Sequence, residues 1–254
     1  MNTKRLPRLG VVIPYRDRAE HLRRFVPHLA AYFSRDKNDR HIPVRFVFVE
    51  QVPGLPFNRG LLRNIGYQLL KESIDYVCFH DVDYLPIWAD YSMPSLPSMI
   101  VWYGAETRPL NPGVSKNIVE NPLDEMFATV VLLKNRQFEA ANGYATDYWG
   151  WGWEDHDLRD RLTAAGFKLG RRKGTFDALD HKNEGQNDDY SPTPDAARNE
   201  ALYRQRWGAG PDPSYPENGL STTRFRIVKR VTMPPPPVCE REIPFEMVTV
   251  DFIG

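Results

Sequence analysis

Tyr76-Val77-Cys78-Phe79-His80-Asp81-Val82-Asp83 runs an apolar segment straight into two aspartates, and its reading decides the fold. A short apolar run that ends on carboxylates has the form of a buried parallel strand delivering polar groups at its carboxyl edge, where open α/β sheets bind ligands. Working back from it, Gly10 to Pro14 and Val44 to Val49 read as two further strands, with helices expected over Arg18 to Phe33 and Asn58 to Glu72. The first helix carries Leu22, Phe25, Val26, Leu29 and Phe33 at helical spacing, with Pro27 as a kink; the second places Leu61, Leu62, Ile65 and Leu69 on one face. Residues 10–83 therefore predict a βαβαβ unit with a parallel sheet.

Working forward, Pro86, Pro94, Pro97, Pro109, Pro112 and Pro122 punctuate irregular segments around a strand expected at Met99 to Tyr103. Phe127 to Leu133 predicts a strand, Arg136 to Ala141 a short helix, Asn142-Gly143 a turn, and Glu154 to Ala165 a helix stopped by Gly166. Asp188 to Pro194 and Pro211 to Asn218 read as polar, proline-bearing connections. Thr223 to Val231 alternates like a strand, Pro234 to Pro237 is a polyproline linker, and Met247 to Phe252 is the last strand. No internal repeat is visible. The expectation is one domain over 1–254, made of the βαβαβ half at 10–83 and a second half with its tail at 84–254.

The 254 residues are 41% hydrophobic and 26% charged, enough to bury a large core. Lys plus Arg and Asp plus Glu each number 33, so zero net charge argues against a nucleic-acid or anionic-membrane partner, and any phosphate site must be local. Two cysteines, Cys78 and Cys239, are too few for a disulfide scaffold or zinc cluster, and Cys78 reads as a packed core thiol. No stretch reaches the roughly 18 to 20 apolar residues of a membrane span. The N-terminal segment lacks the apolar core of a signal peptide, so a soluble, cytoplasmic chain is expected.

Asp81 and Asp83 are spaced i and i+2, which on an extended chain points both carboxylates to one side, and hard oxygen ligands suit Mg²⁺ or Mn²⁺ bound with a diphosphate. A solvated turn opened by two aspartates is the plain alternative. Trp149-Gly150-Trp151-Gly152-Trp153-Glu154-Asp155 is more specific: aromatic faces stack on sugars, glycines let a loop bend, and two carboxylates follow in the first turn of a helix. A buried Trp cluster before an ordinary acidic first turn is the competing reading. Arg16 and Arg18 follow the first strand and Phe57-Asn58-Arg59 opens the second helix, a set that suits a uracil base and its diphosphate. His181 is a candidate metal partner.

Taken together these segments resemble the beta-1,4-galactosyltransferase family, from about residue 10 to about residue 230. Pro14-Tyr15-Arg16-Asp17-Arg18 is similar to its Pro-Phe-Arg-x-Arg, Phe57-Asn58-Arg59 to its Phe-Asn-Arg, Asp81-Val82-Asp83 to its Asp-Val-Asp, and Trp149 to Asp155 to its Trp-Gly-Trp-Gly-x-Glu-Asp, in the family's order. Asn218-Gly219-Leu220-Ser221 resembles its C-terminal Gly-Leu segment.

The resemblance implies a GT-A-type α/β fold, a mixed, mostly parallel sheet flanked by helices with long loops. It implies inverting transfer of galactose from UDP-galactose to a saccharide acceptor, with Mn²⁺ as cofactor. Pro14, Tyr15, Arg16, Arg18, Phe57 and Arg59 would hold UDP, Asp83 and His181 would ligate Mn²⁺, and Asp81, Trp151, Trp153 and Glu154 would meet the donor or acceptor sugar. Asp155 would be the general base. The chain departs from the pattern at Trp153, His156 and Ala128-Thr129, and the family's third metal ligand meets Ala178, Leu179 or Asp180, so Asp177 or Asp180 is the expected substitute. The anchor and stem of the animal enzymes have no counterpart in the sequence, which predicts a cytosolic, bacterial-type relative. Three rivals stand beside this reading: an N-acetylgalactosaminyltransferase, a glycoside hydrolase, and a catalytically inactive sugar-binding module.

Overall fold

The computed structural model describes residues 5–34, 42–100, 106–109 (backbone only), 127–179, 192–211, 213–234, 237 and 243–253. Its centre is β1 (Leu9–Tyr15), seven consecutive buried residues, flanked by β2 (Val44–Gln51) and β3 (Tyr76–His80), both parallel to it. Helix α1 (Ala19–Ser34) joins β1 to β2 and continues through Pro27; α2 (Arg59–Leu70) joins β2 to β3, followed by a 3₁₀ turn at Lys71–Ser73. The predicted βαβαβ unit is present.

Alternation along the strands explains why both faces are covered. Val11, Ile13, Phe46, Phe48 and Cys78 point to the side packed by Phe25, Leu29 and Phe33 of α1. Val12, Val47, Val49, Val77 and Phe79 point to the side packed by Leu61, Leu62 and Ile65 of α2. Gly66 makes the second contact close: a Cβ there would lie 2.2 Å from Val12 Cγ1. Cys78 is fully buried, and burial pushes its thiol well up, as a packed core residue requires.

After β3 come β4 (Tyr84–Ala89), β5 (Ser98–Met99), β6 (Glu106–Pro109), β7 (Val130–Lys134), α3 (Asn135–Ala140) and α4 (Glu154–Ala164). They are followed by β8 (Gly170–Arg171), β9 (Gly174–Ala178), α5 (Pro194–Trp207), β10 (Phe225–Met233) and β11 (Phe245–Phe252). The main sheet has the order β10-β11-β2-β1-β3-β7-β5-β8, with β11-β2-β1-β3 mutually parallel and β7 and β10 antiparallel to their neighbours β3 and β11. A small second sheet, β4-β9-β6, lies after the strand-end aspartates.

Several boundaries differ from expectation for physical reasons. The strand predicted from Phe127 begins only at Val130, because Thr129 takes a left-handed φ of +63°. Of the strand expected at Met99 to Tyr103, the described part is β5; residues 101–105 lie outside the described residues. The second sheet and α5 were not foreseen. Helix α5 is signalled by Thr193, which caps Ala196 N, and by Pro194 at its first position, but its buried face is thin: only Ala196 and Asn199 are fully covered. Among the described residues no helix is long and apolar enough to cross a membrane.

Candidate active site

Asn58 sets the start of α2. Its side chain accepts from Leu61 N at 2.9 Å and donates to Thr146 O at 2.8 Å, while its own N–H donates to Gln51 Oε1 at 2.9 Å. This aims the first turn of α2 at the carboxyl edge of β1 and β3. Arg59 is the first residue of that turn and Arg63 stands one turn later on the same face.

The two guanidiniums bind three carboxylates. Arg59 Nη1 donates to Asp81 Oδ2 at 3.0 Å, its Nε to Glu154 Oε1 and its Nη2 to Asp155 Oδ2. Arg63 Nη2 donates to Asp81 Oδ1 at 2.7 Å, and its Nη1 to Asp155 Oδ1 at 2.7 Å and to Tyr144 OH at 3.0 Å. Within this cluster one negative charge is in excess, and it is held where Arg63 is 0%, Glu154 3% and Asp155 6% exposed.

The electrostatics follow from burial set against pairing. Burial acts to raise Asp81, but Arg59 and Arg63 outweigh it and hold its carboxyl below the usual range. For Asp155 burial wins: its carboxyl is raised, with Glu154 adding to the upward push and the two arginines opposing it. Both arginines stay protonated, burial being outweighed by the anionic neighbours.

Arg59, Asp81 and Glu154 of this cluster line a cleft of about 630 Å³. Of the residues singled out in the sequence, Pro14, Arg16, Arg18, Phe57, Arg59, Asp81, Asp83, Trp151 and Glu154 line it, together with Asp17, His21, Val82, Tyr84, Thr129, Gly150 and Gly152. Arg16 lies over the Phe57 ring, 5.1 Å from its centroid, and donates to Leu55 O at 2.8 Å. Tyr15 is buried in β1 and Asp155 is buried in the first turn of α4; neither lines the cleft. Trp153 also lies off it, with ring centroids 4.8 Å from His156 and 4.9 Å from Tyr203. His181 lies outside the described residues.

The aspartate pair needs a correction. The chain does not stay extended: it turns at Val82-Asp83 before β4 begins, so the i, i+2 rule for a strand does not apply. Asp81 serves the arginines, while Asp83 faces the cleft. Asp83 O accepts from Leu179 N at 2.7 Å, so the end of β9 passes beside it. Asp177 lies on β9 opposite Leu85. Among the described residues no group of three or more His, Cys, Asp or Glu side chains is placed to hold a metal ion. The donor chemistry present is the hard carboxylate oxygen of Asp83, which fits Mg²⁺ or Mn²⁺ rather than a thiophilic metal.

The tryptophan loop is built over the cleft. Gly150 N donates to Phe57 O at 2.8 Å, tying the loop to the segment before α2. Asn199, fully buried on α5, donates to both Trp149 O and Trp151 O at 3.0 Å. Gly150 and Gly152 have φ of +80° and +92°, and a Cβ on Gly150 would lie 2.2 Å from Asp195 Oδ2. Trp151 is left 47% exposed, turned to the cleft.

Sequence reasoning missed Arg63, Tyr144 and Asn199. Arg63 had a signal: an arginine four residues after Arg59 in a helix that is buried nearly all round. Asn199 and Tyr144 had none, because both reach the site through tertiary contacts.

Two family models match the chain: the N-terminal region of glycosyl transferase group 7 over residues 2–93, and the N-terminal domain of galactosyltransferase over residues 108–183. Beta-1,4-galactosyltransferase 7 of Drosophila melanogaster is 32% identical over 178 residues, covering 68% of this chain and 52% of that protein. Human beta-1,4-galactosyltransferase 7 is 36% identical over 169 residues, covering 66% and 47%. The chain thus spans about half the length of these relatives. A crystal structure of the catalytic domain of the Drosophila enzyme in complex with xylobiose superposes with a TM-score of 0.75 at 24% identity, covering 98% of this chain and 95% of that one. A mutant of the same enzyme, complexed with manganese, UDP-Gal and xylobiose, also gives 0.75, at 23% identity. The fold is accordingly of the GT-A type.

Proposed function

The chain belongs to glycosyltransferase group 7, the family of the beta-1,4-galactosyltransferases, and on that premise we propose that it transfers galactose from UDP-galactose to a hydroxyl of a sugar acceptor, with inversion and with Mn²⁺ on the diphosphate. The observation that carries the reading is the convergence of three groups on one cleft: Arg16, Arg18 and Phe57; Asp83; and Trp151 with Glu154. The relatives are named for galactose transfer, and one related enzyme was crystallised with manganese and UDP-Gal, which supports donor and cofactor.

In this reading residues 10–83 carry the nucleotide and residues 84–254 build the acceptor side. Phe57 and Arg16 stack on and pair with the nucleotide, with Pro14 and Arg18 shaping that pocket, and Arg59 meets the diphosphate; Tyr15, buried in β1, is left out of the contact set. Asp83 and His181, with Asp177 or Asp180, would hold Mn²⁺, which supplies positive charge to the leaving diphosphate. Trp151 offers an apolar face to the sugars, and Glu154 and Asp81 bind hydroxyls of the donor sugar; Trp153, packed on His156 and Tyr203 away from the cleft, is left out of the sugar set.

Asp155 takes the proton from the acceptor hydroxyl. In the free protein its Oδ2 is engaged by Arg59, so the base becomes available when Arg59 turns to the diphosphate. The raised affinity of its buried carboxyl for a proton suits that task. A donor-by-acceptor activity array with Mn²⁺ tests the proposal: turnover of UDP-galactose with a sugar acceptor supports it. Turnover confined to UDP-N-acetylgalactosamine moves the assignment to the rival donor, and free sugar released without any nucleotide donor moves it to a hydrolase.

A further inference from the structure

Arg63 does not line the cleft, yet it touches two of the residues that matter most there. It is fully buried, and each of its terminal nitrogens is spent on a carboxylate: Asp81 Oδ1 and Asp155 Oδ1, both at 2.7 Å. Arg59 covers the opposite oxygen of each, Asp81 Oδ2 and Asp155 Oδ2. Each aspartate therefore lies between two guanidiniums, one sealed in the core and one facing the cleft.

The two arginines cannot respond alike to a ligand. A diphosphate is an anion that competes for Arg59; it has no route to Arg63. An anion that drew Arg59 away would free Asp155 Oδ2 and leave Oδ1 on Arg63. Burying this guanidinium is also costly, since its Nε has no hydrogen-bond partner among the described residues. Its neighbours Leu62 and Ile65 show that an apolar side chain suits this helix. What an apolar residue cannot supply is a planar fork that bridges two carboxylates at a fixed spacing.

We propose that Arg63 is a positioning residue of the transfer reaction, bridging Asp81 and Asp155 so that one oxygen of Asp155 stays fixed while the other is presented to the acceptor. The inference rests on Asp155 being the base. The test is Arg63→Lys, which keeps the charge but replaces the fork by a single ammonium. The variant should bind UDP with Mn²⁺ within about threefold of wild type, with a similar donor KM, while kcat falls at least about tenfold, since small misplacements at a reacting centre cost up to about 10² in rate. Tyr144→Phe removes the hydroxyl that accepts from Arg63 Nη1 without touching either carboxylate, and should lower kcat about threefold or more with binding unchanged. It carries the test alone if Arg63→Lys does not fold.

Wild-type kcat in either variant, or a loss of kcat matched by the loss of folded protein, overturns the proposal. A wild-type protein that moves no sugar to any acceptor overturns the functional reading and this proposal together. Normal turnover of Arg63→Lys beside an inactive Asp155→Asn overturns this proposal alone.

Discussion

Arg59 Nη1 stands 3.0 Å from Asp81 Oδ2, so the residue that opens α2 and the first carboxylate after β3 are joined across the cleft floor before any ligand arrives. Under the proposed function a nucleotide diphosphate would enter by exchange, taking a guanidinium already paired with three carboxylates. Arg59→Ala should weaken UDP binding by about 10- to 100-fold, as expected for losing a hydrogen bond between charged groups. It should also destabilise the fold by about 3 to 5 kcal/mol, because buried carboxylates lose a partner. Calorimetry with UDP and urea denaturation read the two effects; unchanged UDP affinity removes Arg59 from the nucleotide set.

Metal dependence is the second expectation. With Asp83 in the cleft and β9 ending beside it, UDP affinity should fall at least about tenfold in EDTA and recover best with Mn²⁺, as a diphosphate bridged by a hard cation requires. Asp83→Ala should bind UDP equally weakly with and without metal. The same affinity in EDTA as in Mn²⁺ contradicts the assignment.

The tryptophan loop should respond to donor. Trp151 is half exposed, yet its carbonyl is tied to Asn199 on α5, so closing over a sugar has to break or carry along that bond. Intrinsic fluorescence should change on adding UDP-galactose with Mn²⁺. Gly150→Ala, with its Cβ driven against Asp195 and a left-handed φ to sustain, should abolish the change. A fluorescence response of wild-type size in Gly150→Ala counts against hinge motion there.

How much of this was legible follows from where each signal resides. Strands β1, β2 and β3 and helices α1 and α2 were readable because apolar periodicity is local and both faces of the sheet are covered by them. The cleft residues Arg16, Phe57, Asp83 and Trp151 were readable because they stand at strand ends and in glycine-bounded loops. The charge cluster was only half legible. Arg59 and Glu154 lie in recognisable segments, but Arg63 looks like one more helix residue until Asp81 and Asp155 are brought to it from 18 and 92 positions away. The small second sheet was hidden because β4 and β9 are short and separated in sequence. The turn at Val82-Asp83 was misread because an i, i+2 pair carries no mark of where the strand stops.

His80 gives a pH test of the core beneath the cleft. It is fully buried, with Nδ1 2.8 Å from Asp81 O and Nε2 2.9 Å from Tyr91 OH, and burial pushes its pKa down to about 4. The unfolded value is about 6.5, so between these limits the unfolded chain takes up a proton that the native state refuses. The neutral imidazole's contribution is complete above about pH 6.5 and is lost as pH falls toward 4, about 3 kcal/mol in all. Urea midpoints in metal-free buffer at pH 7 and pH 5 should fall more steeply for wild type than for His80→Asn; parallel behaviour of the two contradicts it.

The most direct test of the central claim is proton NMR of the product formed from UDP-galactose, Mn²⁺ and a sugar acceptor, with wild type and Asp155→Asn run side by side. The account predicts a β-configured galactoside and an equal amount of UDP from wild type, and turnover reduced by about 10² to 10⁴ in Asp155→Asn at saturating acceptor, with UDP affinity retained. An α-configured product, free galactose in place of a galactoside, or Asp155→Asn turnover above about a tenth of wild type would contradict it.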